Sequence, residues 1–143
     1  MANEAVLMFE TSLPIPFICA NGTAIPYGTV VKGADPFTVS ASTAAEDQFG
    51  GIAAEEKIAS NGVTTVGVYR SGIFKVFASG NVTYGDPLVT AVAVDSPSNY
   101  FASAVGRTVT QLSGNRIFGI ALETATAGQT FLMELRPETL PRT

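Results

Sequence analysis

Glu55-Glu56 is an adjacent pair of carboxylates, the residue type that general acid–base chemistry uses in twos. On a strand the two side chains point to opposite faces, which is wrong for a dyad. The chain has no histidine, so the commonest general base, the usual serine triad and imidazole metal sites are missing. Its single cysteine, Cys19, cannot make a thiolate cluster, and it lies in the apolar run 15–20, where it reads as a small buried hydrophobe rather than a nucleophile. Asp35, Asp47, Asp86 and Asp95 fall in separate loops and read as turn residues. No Gly-Lys-Ser/Thr loop or strand-linked Gly-x-Gly-x-x-Gly is present. Asn21-Gly22-Thr23 and Asn81-Val82-Thr83 fit the glycosylation pattern but read as turns. Carboxylate-only and serine–lysine chemistry stay open in principle, without a constellation to carry either. The expectation is therefore no enzyme, with no catalytic residue, no cofactor and no metal.

The elements that could position any site are strands. Residues 49–78 read as two or three strands joined by glycine-bearing turns, with a fainter copy at 117–136. Residues 63–69, rich in β-branched and aromatic types, run into Ser71-Gly72, which is read as a hairpin turn pairing Tyr69 with Phe74 and Gly67 with Val76. That register places Tyr69, Phe74, Val76 and Ala78 on one face and Val66, Val68, Ile73 and Phe77 on the other, with Lys75 and Arg70 among them. Both faces are substantially apolar, so the hairpin is expected to be covered on both sides. Phe131, Met133 and Leu135 fall on one face of a later strand, opposite Leu132, Glu134 and Arg136, which predicts a half-exposed strand. Thr43 and Glu46 have capping-box spacing for a single helical turn, and no longer window keeps a helical period. The fold class is all-β: a compact barrel, tulip-like or sandwich domain with little helix.

An order of motifs recurs. Tyr27-Gly28-Thr29-Val30-Val31 returns as Tyr84-Gly85-Asp86-Pro87-Leu88-Val89, and Phe49-Gly50-Gly51-Ile52-Ala53 as Phe118-Gly119-Ile120-Ala121. Gly28 to Gly51 is 23 residues while Gly85 to Gly119 is 34, so a two-lobed repeat would carry an insertion in the second copy. Residues 18–136 are read as one β domain, 1–17 as an extended N-terminal arm or, equally, as a first strand of that domain, and 137–143 as a tail. The arm lacks a basic region, carries Glu4 and Glu10 and is interrupted by Pro14 and Pro16, so neither a signal peptide nor a membrane span is expected.

Surface chemistry points to contact rather than catalysis. Charged residues are 14% of the chain against 46% apolar, which leaves little charge to cover a free monomer. The formal net charge of −4 and the scattered basic residues speak against nucleic acid. Candidate contact residues are Val6, Leu7, Met8, Phe9, Ile15 and Phe17 of the arm. Tyr100 and Phe101, at the end of the loop 95–101, are candidate anchors unless they fold back onto the core.

The order Tyr-Gly-x-x-Val at 27–31, then residues 44–53, the strand through Ile73-Phe74-Lys75-Val76, then Tyr84-Gly85-Asp86-Pro87-Leu88-Val89 and Phe118-Gly119-Ile120-Ala121-Leu122 resembles the head-decoration, or cement, proteins of tailed bacteriophages, over about residues 20–135. The resemblance implies a non-enzymatic β-barrel or β-tulip domain that sits, commonly as homotrimers, on the outer surface of an expanded capsid at three-fold and quasi-three-fold positions. Its partners would be the major capsid protein and neighbouring copies of itself, and it would be made in the host cytoplasm. Replacing Leu7 and Phe9 together by Asp is then expected to abolish capsid binding while leaving the fold intact. The competing reading is a receptor- or carbohydrate-binding β module built on Tyr100, Phe101, Asp95 and Asn99.

Overall fold

The computed structural model describes residues 4–43, 48–91, 100–105 and 117–138. Among them are eleven strands and no helix. They are β1 (Val6–Phe9), β2 (Ile15–Ile18), β3 (Val30–Ala34), β4 (Thr38–Ala41), β5 (Phe49–Ala53), β6 (Thr65–Tyr69), β7 (Gly72–Ala78), β8 (Pro87–Ala91), β9 (Tyr100–Ser103), β10 (Ile117–Ala121) and β11 (Thr130–Glu138). The expected helical turn after Thr43 and most of the loop 95–101 lie outside the described residues.

The strands close into two rings of the same topology. β2, β4, β3, β5 and β6 form one barrel. In the second, β7, β11, β10, β8 and β9 follow one another, and the β7–β9 pairing closes the ring. Each ring is antiparallel except at its closing seam, Ile18↔Thr38 in the first and Phe77↔Tyr100 in the second. The match extends to single bonds: Gly28 N–H donates to Ala53 O at 3.0 Å, and Gly85 N–H to Ala121 O at 2.8 Å. Bridges Ile25↔Lys57 and Val82↔Ala125 also correspond. The recurring Tyr-Gly and Gly-Ile-Ala motifs are thus the visible part of a repeated barrel.

The interiors match position for position. Phe17, Cys19, Ile25, Val31, Val39, Ala53, Val66 and Val68 fill the first barrel. The ladder registers place Val76, Ala78, Val82, Leu88, Phe101, Ala121, Phe131 and Met133 at the equivalent points of the second, all of them buried. Volume is redistributed rather than conserved at each point. The second barrel carries Phe101, Phe131 and Met133 where the first has valines, and the first carries Phe17 and Lys57 where the second has Val76 and Ala125.

Lys57 is the unusual member of that exchange. It is 2% exposed, and its ammonium donates to the carbonyls of Asn21 and Ile58, both at 2.9 Å. Its stem fills space and its head satisfies two backbone acceptors. Lys57→Ala, which installs the residue of the second barrel, should lower stability by about 2–3 kcal/mol and the thermal midpoint by roughly 5–10 °C. Lys57→Met should recover only the packing share of that loss. A thermal melt in which the alanine variant matches the parent would show that neither bond nor stem contributes.

The expected Ser71-Gly72 hairpin does not form. β6 pairs with β2 and β5, whereas β7 pairs with β1, β9 and β11, so Arg70 and Ser71 carry the chain from one barrel to the other. Two apolar faces were visible because two cores are being filled: Val66 and Val68 enter the first, and Phe74, Val76 and Ala78 enter the second. Gly72 makes the crossing at φ +133°, where a Cβ would come within 3.1 Å of the Phe74 ring and 3.2 Å of Phe9 O. The strand containing Phe131, Met133 and Leu135 is half-exposed in the way its alternation predicts.

Where the barrels meet, the outer side of the first contributes Val30, Phe49 and Ile52 to one continuous cluster with Phe74 and Phe118 of the second. The Phe49 and Phe118 rings meet edge-on at 4.9 Å, and Tyr69 and Phe74 at 5.7 Å.

Candidate interaction surface

The repeat provides a measure of what each exposed position lacks. Phe74 on β7 is 1% exposed, covered by the first barrel through Tyr69. The position equivalent to it on β2 is Ile15, which is 41% exposed, and among the described residues nothing stands over it. Beside Ile15, Leu13 is 75% exposed, and Ile18 on the same strand is also open.

β1 extends this apolar run. It is antiparallel to β7, with Val6 opposite Lys75, Leu7 opposite Phe74 and Phe9 opposite Ile73, and a bulge between Leu7 and Phe9. It shares one edge of β7 with β9, which pairs at Phe77 and Ala78. Because both barrels are closed, β1 ends the sheet with its outer edge unpaired among the described residues. Phe9 is 62% and Met8 46% exposed, and Val6 is exposed as well. The stretch of β2 that corresponds to the β1-covered part of β7 is guarded differently. Gly67 directs its N–H to Glu55, so its partner Pro16 turns its own backbone to the open edge, where a proline offers no donor.

Within residues 6–18, β1 lies on the edge of β7 outside the two rings, and β2 is a strand of the first barrel. Of the candidate contact residues, Val6, Met8, Phe9 and Ile15 are exposed. Leu7 is partly buried against the shared core, which makes it a structural residue as much as a surface one. Phe17 and Phe101 must be withdrawn from the contact set. Phe17 lines the first barrel, and Phe101, fully buried, takes in the second barrel the place that Val39 has in the first. Tyr100 is partly buried with its ring 5.6 Å from that of Phe77. Asp95 and Asn99 lie outside the described residues, so the aromatic platform proposed for a glycan loses its central ring to the core.

The two adjacent carboxylates have separate structural duties. Glu55 Oε1 accepts from Gly67 N–H at 2.6 Å, and Glu56 Oε1 accepts from Tyr27 N–H at 3.0 Å. Glu123 repeats the first of these, accepting from Leu132 N–H at 2.9 Å, and Thr124 Oγ1 repeats the second with Tyr84 N–H at 3.1 Å. They tie the turns to the strands beside them. Among the described residues no group of three or more His, Cys, Asp or Glu side chains converges for a metal.

No family model matches the chain, and no curated protein does. A solved structure is similar to it. The head fiber gp8.5 N base of bacteriophage phi29 aligns at a TM-score of 0.49 and 17% identity, over 90% of this chain and 98% of that one.

Burial shapes the remaining titratable groups near this surface. Desolvation pushes the Tyr69 phenol up, aided by its hydrogen bond to the Glu10 carboxylate at the β1–β2 turn. The same turn is held by Ser71, whose Oγ accepts from Thr11 Oγ1 at 2.9 Å and lies 2.7 Å from Ser12 Oγ. Desolvation likewise raises the thiol of Cys19, the buried filler expected from its surroundings. The exposed apolar run of β1 and β2 is thus presented on a turn fastened to the linker between the barrels.

Proposed function

We propose that this chain is a structural protein of a phage virion that decorates the outer surface of the expanded head and stabilises the shell. The observation that carries this reading is the run of exposed apolar side chains from Val6 through Met8, Phe9 and Leu13 to Ile15 and Ile18, within which Ile15 stands open where its equivalent in the second barrel, Phe74, is covered. The order of motifs that resembles cement proteins supports it. A clamp of this kind has no catalytic group and no cofactor. It uses apolar area repeated by symmetry, so that many modest contacts act together. Its partners are the major capsid protein and further copies of this chain, grouped as trimers at three-fold and quasi-three-fold positions.

Co-sedimentation with heads of the parent phage tests the reading. The purified protein should saturate expanded, undecorated heads and leave unexpanded procapsids bare. Equal binding to both would remove the dependence on expansion, and binding to neither would remove the decoration role altogether.

A further inference from the structure

Arg70 is partly buried, with its Cζ 4.6 Å from the centre of the Phe49 ring and 5.5 Å from that of Phe17. Among the described residues no carboxylate is placed within ion-pair distance of it, and loss of water disfavours its charged form. A guanidinium held on two aromatic faces in this way is short of counter-charge. It lines an open cavity of about 370 Å³ together with Phe17, Phe49 and Asp35. At the rim, Phe37 stacks on Phe17 with centroids 4.2 Å apart and planes 10° apart. Phe37 holds a φ of +50°, a conformation that is costly for an aromatic residue and concentrates at ligand sites.

The second barrel shows that the fold does not need this arrangement. The ladders match Arg70 to Leu135 and Phe17 to Val76. Both of those equivalents are aliphatic and buried. Hydrocarbon alone therefore closes the same end of the same topology, and the cation is an addition specific to the first barrel.

The chemistry selects the ligand class. The planar fork of an arginine matches a carboxylate in two parallel hydrogen bonds. Asp35 is exposed and lines the same cavity, so a dianionic phosphate meets more repulsion there than a carboxylate with one charge. The aromatic wall suits the methylene groups of an acidic side chain. Continuity with the apolar run selects the source: Ile18, exposed and next to Phe17, donates its N–H to Phe37 O at 3.0 Å, so the rim passes directly into the exposed face of β2.

We propose that the mouth of the first barrel receives an aspartate or glutamate side chain of the partner protein that lies along β2, with Arg70 as its ligand. The existence of that partner rests on the decoration reading; the carboxylate site itself does not.

The test therefore uses no heads. Arg70 Nε–H of the full chain is followed by NMR while N-acetyl-glutamate methylamide is added, with N-acetyl-glutamine methylamide and inorganic phosphate as separate titrations. The acid should shift the Arg70 signal with saturation in the millimolar range, and the amide and phosphate should not. Arg70→Leu, which copies the second barrel and keeps the fold, should weaken the remaining ring-proton shifts of Phe17 and Phe49 about tenfold or more. Asp35→Asn should tighten binding. An equal response to the amide would make the cavity merely apolar, an equal response to phosphate would replace the ligand class, and no response to the acid would end the proposal. Failure of head binding with this titration intact would strike the decoration reading alone.

Discussion

Gly51→Ala and Gly119→Ala should each destabilise the protein by about 4 kcal/mol or more, a large share of the stability of an ordinary domain. The two glycines are equivalent, Gly51 opposite Val31 and Gly119 opposite Leu88. At each, a Cβ would sit on a carbonyl oxygen of the neighbouring strand, Tyr69 O in the first barrel and Glu134 O in the second. Those acceptors belong to closed rings, so neither can retreat without opening a seam. Gly51 carries a second penalty, because its φ of +132° is a conformation that alanine rarely adopts. Gly22 supplies the contrast: a Cβ there meets nothing within 4 Å, so Gly22→Ala should stay within about 0.5 kcal/mol of the parent. Guanidinium unfolding followed by far-UV circular dichroism reads all three. If Gly119→Ala unfolds at the parent's midpoint, the close approach of β10 and β11 is not a constraint of the fold.

These glycines also show which parts of the architecture are legible in a sequence. The motifs around Gly28, Gly51, Gly85 and Gly119 recur because each barrel needs the same close approaches and turns, and such demands act on residue types that are easy to recognise. The alternation of Phe131, Met133 and Leu135 is legible for a similar reason, since one strand with one wet face writes a period of two. The hairpin at Ser71-Gly72 is misread because β6 finds its partners at residues 15–18 and 52–53, and a local turn signal is silent about pairing across such separations. The sequence leaves Phe101 between anchor and core for a related reason. Its burial follows from its equivalence to Val39, which emerges only when the two ladders are superposed. The cationic mouth had a signal of the same kind: aligning the repeats sets Arg70 against Leu135, a charge against a core leucine. The exposed run on β1 and β2 was legible in part, as an apolar segment without strict alternation. Which members face outward depends on the bulge after Leu7 and on what lies over Ile15.

The largest functional effect should come from Met8→Asp combined with Phe9→Asp. Leu7, expected from the sequence to be a harmless site for such a change, packs against the shared core, so a charge there would confuse loss of contact with loss of fold. Met8 and Phe9 are 46% and 62% exposed, and both can accept a carboxylate that remains solvated. In the free protein the double variant should keep its circular dichroism spectrum and lie within about 1 kcal/mol of the parent. On expanded heads its affinity should fall roughly a hundredfold or more, because two apolar contacts become two buried, unpaired charges at every copy. The charges also guard the open edge of β1 against strand addition, so the result covers side-chain docking and edge pairing together. Met8→Ala with Phe9→Ala separates them, since it removes the side chains and leaves the edge available. A large loss with alanine as well places the energy in the side chains, whereas a loss confined to aspartate places it in the backbone edge. If the aspartate variant occupies heads as the parent does, then β1 is not the contact, and the exposed run must be explained by some other partner.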